Sequence, residues 1–337
     1  MKILFNCGLP FCLAHGGHAI QIQQTMAALQ GIGVEAEPLR WWDETQTGDV
    51  IHYFFGRMTP EQIRFAHQKK IRVVMSELLT GQGSRSAGRL RFQRLLSRGI
   101  RRLAPPSFSA AFKWEAYRLA DALVALTGWE KHLMEYLFGA DPARTFVVPN
   151  GVEAVFFESP PAERGPWLVC TAVITERKRV LELAEAAVRA QTPVWIMGRA
   201  YAENDAYAQK FLSLARAHPR WVRFEGAVTD RTELAKIYRA ARGFVLLSTK
   251  ESLSLSALEA AAAGCPLLLS DLPWARTAFA GGVQFCPVTG PAAATAGALR
   301  RFYDAAPQLP SPPPPATWPD VARQLKVIYE KVLADRA

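Results

Sequence analysis

The 337-residue sequence contains no uninterrupted run of about 18 apolar residues, the length that a membrane-spanning helix requires. Its first residues, MKILFNCGLPF, are typical of a strand. They lack the basic segment and the long apolar stretch of a signal peptide. We therefore expect neither a membrane-spanning helix nor a signal peptide.

Cysteine is scarce and scattered. The five cysteines form no CxxC pair, and no histidine lies at metal-ligand spacing from them; they are Cys7, Cys12, Cys170, Cys265 and Cys286. We interpret them as buried thiols of a cytoplasmic protein, because disulfides persist mainly in oxidising compartments. We expect no structural zinc and no other bound metal.

Acidic residues are fewer than basic ones. With 40 lysines and arginines against 30 aspartates and glutamates, the formal net charge is +10. This charge favours an anionic partner such as a phosphorylated ligand, a membrane surface or nucleic acid, and composition does not choose among them. Half of the residues are apolar, which excludes a disordered chain.

Short apolar runs alternate with helical patterns along most of the chain. The runs KILFNCG, DVIHYFF, IRVVMSE and ALVALTG are continuously apolar, as strands are in a parallel sheet that is covered on both faces. The pattern restarts at WLVCTAVI, after the loop SPPAERGP. We therefore predict two doubly wound α/β domains, over residues 1–160 and 161–317.

The last part of the chain has two contrasting segments. PQLPSPPPPATWP cannot hold a helix, because each proline lacks an amide donor and restricts its predecessor, so we interpret it as a stiff linker. In DVARQLKVIYEKVL, helical spacing predicts an amphipathic helix over about residues 318–335, with a docking face formed by Val321, Leu325, Ile328 and Val332.

The segment that carries the most chemical information runs from Lys250 to Pro266. Glu251 follows the predicted strand GFVLLST, and the carboxyl ends of parallel strands are where open α/β sheets bind ligands. A helix that begins near Ser254 would direct its amides and its positive dipole end at this loop, and such an end holds a diphosphate without a metal. The alternative is a helix capped by Ser252, with Glu259 in solvent.

This segment resembles a known family. The pattern E-x7-E, followed by AxAxGxP and Ser270-Asp271, is similar to the donor signature of retaining glycosyltransferases of family 4. The resemblance extends to Gly16-Gly17, ALTGWEKHLMEYLFGADPARTFVVPNGVE and VRFEGAVTDRTELAKIYRAARGFVLLS. It implies an α/β protein of the GT-B fold, with two Rossmann-like domains facing a cleft and a final helix that crosses back to the first domain.

The resemblance also implies roles for individual residues. Glu251 would bind sugar hydroxyls, Glu259 would bind the ribose, and Lys178 would lie on the donor diphosphate. We take Lys178 and Glu251 as the catalytic residues, because a point cation stabilises departing phosphates. The backbone expected beside the donor is that of Ser252, Leu253, Ser254 and Leu255. Neither a cofactor nor a metal is implied.

The chain departs from the family pattern at two places. Relatives usually carry an arginine about five residues before the lysine, where this chain has Val173, so Arg177 or Arg179 would have to substitute. Many relatives also carry a histidine after the strand that corresponds to IRVVMSE, where this chain has Ser76 and Glu77. We retain Ser76 and Glu77 as candidate contacts of the acceptor, and Arg177 as a donor contact.

Gly16 and Gly17 resemble the loop that lets a donor phosphate and an acceptor approach the backbone closely, since glycine has no side chain to obstruct them. The alternative is a plain turn that starts a helix. The flanking His15 and His18 are candidates for polar contacts with a phosphate or an acceptor; the alternative is a structural role, which is the more common one for a lone histidine.

A basic segment covers residues 85–118, with nine basic residues and a single acid, Glu115. Within RLRFQRLLSRGIRRL, an apolar helical stripe is separated from most of the arginines; it consists of Phe92, Leu95, Leu96, Ile100 and Leu103. Such a helix is typical of binding to an anionic membrane surface. The alternative is a helix docked on its own domain with its arginines in solvent. Nucleic-acid binding ranks lower, because aromatic residues do not interleave with the basic ones.

Together these features predict a retaining enzyme that moves a sugar from a UDP- or GDP-sugar to a hydroxyl of a glycan or lipid-linked acceptor, in cell-surface polysaccharide or glycolipid synthesis. It would be cytoplasmic, with a peripheral position at the membrane if the basic segment binds lipid. Two alternatives stay open: a sugar-nucleotide epimerase or hydrolase of the same fold, and a non-catalytic protein that only binds the nucleotide sugar.

Overall fold

The computed structural model describes residues 1–7, 16–54, 58–103, 105, 112, 114–158, 163–202, 204–279 and 281–335. The chain forms two compact units. The first comprises Met1–Gly151 and Ala316–Ala337, and the second comprises Val152–Pro315. The first segment of the first unit therefore ends at Gly151, before the loop near residue 160 at which the sequence pattern restarts.

The first unit is built on a six-stranded parallel sheet in the order β2-β1-β3-β4-β5-β6. Its strands are β1 (Lys2–Cys7), β2 (Glu35–Pro38), β3 (Val50–Phe54), β4 (Arg72–Ser76), β5 (Ala122–Ala125) and β6 (Thr145–Val147). The helices between them are α1 (Gly17–Gly31), α2 (Pro60–Gln68), α3 (Thr80–Gly83), α4 (Ala87–Leu103), α5 (Ala116–Leu119) and α6 (Gly128–Leu133), the last continued by a π-helical turn over Met134–Phe138. The central strands are buried, as their continuous apolar sequences predict.

The second unit repeats this architecture with a six-stranded parallel sheet in the order β12-β11-β10-β7-β8-β9. Its strands are β7 (Leu168–Thr171), β8 (Val194–Met197), β9 (Val222–Phe224), β10 (Gly243–Leu246), β11 (Leu267–Ser270) and β12 (Val283–Cys286). Its helices are α7 (Val180–Arg189), α8 (Ala206–Ala217), α9 (Arg231–Ala240), α10 (Leu255–Ala262), α11 (Pro273–Ala278) and α12 (Ala292–Ala305). The predicted α/β class with two parallel sheets is confirmed.

The final helix, α13 (Trp318–Ala334), belongs to the first unit, as the fold prediction required. It begins with a capping box, in which Thr317 accepts from the amide of Asp320 and the Asp320 side chain accepts from the amide of Thr317. Its apolar face is buried, including Val321 and Leu325, and it packs against α1 and β4. Among the described residues, we find no helix that is both long and apolar enough to cross a membrane.

We predict that replacing Gly151 by alanine destabilises the first unit. A Cβ atom there would lie 2.6 Å from the backbone nitrogen of Trp318, so the start of α13 would have to move. Overpacking of this kind costs about 1–3 kcal/mol. Urea unfolding followed by tryptophan fluorescence measures the loss. Gly99→Ala is the control and is not expected to lower the midpoint, since a Cβ at Gly99 in α4 meets no atom within 4 Å and alanine favours the helix. A midpoint of Gly151→Ala equal to that of the wild type would contradict the prediction.

Candidate functional site

One charge cluster of the second unit lies at the carboxyl ends of two neighbouring strands. β7 and β10 are paired, so the loops that follow them meet at the same edge of the sheet. After β7, a 3-10 turn over Glu176–Lys178 carries Lys178, and Glu251 lies in the loop after β10. The Lys178 Nζ atom is 2.5 Å from Glu251 Oε2, and the two side chains are only 12% and 14% exposed. The structure thus brings together the two residues that the sequence analysis singled out as catalytic.

Arg177 joins the same cluster. Its guanidinium donates to the carbonyl of Lys250 at 3.0 Å and lies 3.5 Å from Glu251 Oε2. The backbone reinforces this arrangement, because the amide of Thr249 donates to the carbonyl of Arg177 at 2.8 Å. The loops after β7 and β10 are therefore joined by backbone and side-chain hydrogen bonds as well as by the ion pair.

Arg179 has a different position. Its backbone lies in the left-handed region, with φ of 53°, and its guanidinium donates to the carbonyl of Val288 at 3.0 Å. Of the two arginines considered as substitutes for the family's usual arginine, Arg177 is therefore the one beside Glu251. Its contact with a donor stays a prediction.

Helix α10 begins where the sequence predicts. Ser254 is its N-cap, and the Ser254 hydroxyl accepts from the amide of Ala257 at 3.4 Å. Ser252, considered as a cap in the alternative interpretation, lies before this position. The backbone expected near the donor is that of four buried residues, Ser252, Leu253, Ser254 and Leu255. The positive end of the helix dipole thus follows Glu251 directly in the chain.

Glu259 is buried rather than solvated, so the alternative interpretation of this residue is wrong. Only 5% of the residue is exposed, and Arg231, the first residue of α9, lies 2.5 Å from its Oε1 atom. Arg231 also forms an ion pair with Glu153, to which its Nε donates at 2.9 Å. Burial raises the pKa of Glu259, while the charge of Arg231 opposes this effect.

Sequence reasoning missed Arg231 and Glu153. A signal for them exists, because a carboxylate on the buried face of a helix needs a cationic partner. Arg231 lies in the segment VRFEGAVTDRTEL and directly follows Asp230, whose side chain caps α9. The backbone of Arg231 is therefore fixed by the start of the helix. The predicted contact of Glu259 with a ribose stays a prediction.

In the first unit, Gly16 precedes α1 with φ of 127° and ψ of −171°. Only glycine adopts this conformation readily, so the residue is required by the turn itself. Gly17 is the first residue of α1, and Gly16, at the N-cap position, has no side chain to cap the helix. His18 follows it, and burial lowers the pKa of its imidazole. His15 lies outside the described residues. A helix-start turn is therefore present, and the ligand contacts of these residues stay predictions.

Ser76 and Glu77 lie at the carboxyl end of β4, and both are buried. The Ser76 hydroxyl is 2.8 Å from Nε2 of His52, whose Nδ1 is 2.6 Å from the hydroxyl of Tyr329 on α13. Glu77 accepts from the hydroxyl of Tyr117. Sequence reasoning did not find His52, because a lone histidine in an apolar strand carries no distinguishing pattern.

Metal-ligating side chains are dispersed in the part of the chain that the structure describes. There, no group of three or more histidine, cysteine, aspartate or glutamate side chains is close enough to hold a metal ion. Cys170, Cys265 and Cys286 are buried thiols as expected, whereas Cys7, at the end of β1, is only partly buried, and Cys12 lies outside the described residues. Burial raises the pKa of Cys170 and of Cys265 to about 12, so both stay protonated.

Two six-stranded parallel units with a final helix belonging to the first define the GT-B architecture, and solved structures share it at low sequence identity. Sucrose-phosphate synthase from Thermosynechococcus elongatus has a TM-score of 0.69 over 99% of this chain and 100% of its own, at 16% identity. Anabaena HepE in complex with UDP and glucose has a TM-score of 0.60 over 98% of this chain and 99% of its own, at 13% identity. These similarities show the fold alone.

Sequence comparison identifies the second unit more closely. Residues 165–305 match the family described as Glycosyl transferases group 1. D-inositol 3-phosphate glycosyltransferase from Jonesia denitrificans is 32% identical over 185 residues, which cover 47% of this chain and 43% of the relative. The enzyme of that name from Kineococcus radiotolerans is 30% identical over 181 residues, covering 47% and 41%. The matches span less than half of each curated relative. The residues that match the family therefore lie within the second unit.

We predict that His52 makes the stability of the first unit depend on pH. Burial lowers the pKa of His52 from 6.5 to about 3. As the pH falls below 6.5, the unfolded chain takes up a proton that the folded protein excludes, so the free energy of unfolding decreases by about 1.4 kcal/mol per pH unit. Above pH 6.5 the contribution is fully present.

The measurement is urea unfolding of the wild type and of His52→Gln between pH 7 and pH 4. Carboxylates titrate in both proteins, so the difference between them isolates the histidine. We expect the wild type to lose stability relative to the variant as the pH falls. A difference that does not change with pH would contradict the burial of a neutral His52.

Proposed function

We propose that the protein is a retaining glycosyltransferase that uses a nucleoside diphosphate sugar as its donor. The observation that carries the proposal is the Lys178–Glu251 pair at the carboxyl ends of β7 and β10, within the residues that match the glycosyl transferases group 1 family. A cation and a carboxylate ahead of a helix N-terminus offer the diphosphate and the sugar complementary partners.

In this proposal, the ion pair is the resting state of the donor site. Lys178 and Glu251 hold each other in place, so each enters the reaction already positioned. When a nucleotide sugar binds, its diphosphate replaces Glu251 as the ion-pair partner of Lys178. Glu251 can then accept hydrogen bonds from sugar hydroxyls. The backbone at Ser252–Leu255 and the dipole of α10 add to the positive field on the phosphates.

The proposed reaction is a front-face substitution. The bond between the anomeric carbon and the leaving diphosphate oxygen breaks, and the acceptor oxygen bonds to the same face of that carbon. The acceptor proton passes to the leaving diphosphate. Lys178 stabilises the negative charge that grows on the phosphates, which is the largest contribution a protein makes to such a step. The donor site as proposed needs no metal.

Glu259 has a different role in this proposal. Its carboxylate accepts from the ribose hydroxyls, and the charge of Arg231 opposes the rise in the pKa of Glu259 that burial causes. Arg231 also holds Glu153, so the orientation of Glu259 depends on a network rather than on one contact.

The acceptor is proposed to bind to the first unit. Its hydroxyl belongs to a glycan or to a lipid-linked compound of cell-surface polysaccharide or glycolipid synthesis. The candidate contacts there are His15, Gly16, Gly17, His18, Ser76 and Glu77. The relatives from Jonesia and Kineococcus are named after D-inositol 3-phosphate, a compound with free hydroxyl groups, which supports a hydroxyl compound as the class of acceptor.

Lys178→Ala is predicted to lower turnover by about a hundredfold or more, because a preorganised group that stabilises the departing charge is removed. Lys236→Ala is the matched control, since Lys236 lies in the same unit with its side chain 65% exposed. Initial rates at saturating donor measure the effect. Near-normal turnover in Lys178→Ala would remove Lys178 from the mechanism.

The proposed function is tested by a donor screen. UDP-, GDP- and ADP-sugars are incubated with the protein and a cell-lipid extract, in the presence and absence of EDTA, and products are identified by mass spectrometry. UDP-sugars come first, because HepE was solved with UDP. We expect a glycosylated product that persists in EDTA. Isomerised or hydrolysed donor without transfer would indicate an epimerase or hydrolase, and thermal stabilisation by UDP or GDP without any reaction would indicate a binding protein.

A further inference from the structure

Helix α4 is docked on the first unit by an unexpected face. Leu90 is buried in the core on this face, and the other contacts are polar: the Ser97 hydroxyl donates to the carbonyl of Leu137 at 3.4 Å, and Arg101 donates to the carbonyl of Phe138 at 3.2 Å. The guanidinium of Arg94 lies 4.0 Å from the ring centroid of Tyr136. Two of the arginines of α4 therefore anchor the helix instead of facing solvent.

The opposite face of α4 is the apolar stripe. It is exposed to solvent at four large side chains: Phe92 is 68% exposed, Leu95 69%, Leu96 52% and Leu103 88%. Leu95 and Leu96 follow position 92 by three and four residues and precede position 103 by eight and seven, so all four side chains lie along one side of the helix. Single exposed apolar residues are ordinary, but a continuous stripe of this kind marks a binding surface.

The charges beside the stripe identify its partner. α4 contains no acidic residue, and Arg91, Arg98 and Arg102 are exposed along one border of the stripe. Helical geometry separates these three from the docked arginines, Arg94 and Arg101. Their long stems can lie along an apolar boundary while the guanidinium groups reach outward to anions.

We propose that the exposed face of α4 binds the surface of an anionic lipid bilayer. Phe92, Leu95, Leu96 and Leu103 enter the boundary between headgroups and acyl chains, and the bordering arginines contact lipid phosphates. A bilayer supplies both an apolar layer and a dense negative surface, and α4 presents the complement of each. This binding does not depend on the transferase reaction and brings the first unit to a membrane.

The test is vesicle flotation of the full chain without any donor or acceptor. We expect the wild type to bind phosphatidylcholine vesicles that contain phosphatidylglycerol, to bind pure phosphatidylcholine much more weakly, and to lose affinity as salt is raised. Phe92→Ser/Leu96→Ser is predicted to weaken binding to the anionic vesicles by about tenfold or more. Phe65→Ser/Val327→Ser is the control, because Phe65 and Val327 are each 63% exposed in the same unit but lie outside the stripe.

A second set of variants tests the charge. Replacing Arg91, Arg98 and Arg102 by glutamine is predicted to weaken binding about a hundredfold at low salt. Removing the same charge from three exposed residues of the second unit, Arg216, Arg220 and Lys236, leaves binding unchanged. Absence of wild-type binding to anionic vesicles, or equal binding by the stripe variant and its control, would overturn the proposal. A change in oligomeric mass caused only by Phe92→Ser/Leu96→Ser, without vesicle binding, would assign the stripe to self-association instead.

Discussion

The contact between Lys178 and Glu251 is the interaction on which the proposed function of the second unit depends. Each side chain is largely withdrawn from solvent, and an isolated charge in that position would be costly. The pair exists because β7 and β10 are adjacent in a parallel sheet, which brings two loops distant in sequence to one edge. Breaking such a pair by removing one partner costs about 3–5 kcal/mol. A ligand can replace this contact without leaving either charge unpaired if it offers an anionic group to Lys178 and hydroxyl groups that donate hydrogen bonds to Glu251.

A second set of charges, of which Glu259 is buried and Arg231 and Glu153 are partly exposed, organises the neighbouring part of the same unit. Arg231 lies between Glu153 and Glu259 and also stacks over Phe156, with 4.7 Å from its guanidinium to the ring centroid. In addition, Arg239 donates to the carbonyl of Val155. These contacts attach the chain just after Val152 to α9 and α10. They explain physically why the second unit begins at Val152, ahead of the proline- and glycine-rich loop that a reading of the sequence emphasises.

Much of this architecture could be predicted from the sequence, because it depends on local patterns. Continuous apolar strands and the N-cap at Ser254 are local features, and both sheets and α10 follow them. The docked face of α4 could not be predicted in this way. Its apolar stripe would normally face the core, but Ser97 and Arg101 find backbone carbonyls in the π-helical turn after α6, a partner that only the tertiary structure defines. The contacts of Glu259 with Arg231 and of His52 with Tyr329 were missed for the same reason, since the two residues of each pair are distant in sequence.

The most direct test of the donor site is a crystal structure of the protein with a bound nucleoside diphosphate. We expect the diphosphate at the N-terminus of α10, with Lys178 Nζ within hydrogen-bonding distance of a phosphate oxygen and moved away from Glu251. Glu259 should lie beside the ribose. A nucleotide bound elsewhere, or a diphosphate at this helix with the Lys178–Glu251 contact unchanged, would contradict the central claim that this ion pair is the resting form of the donor site.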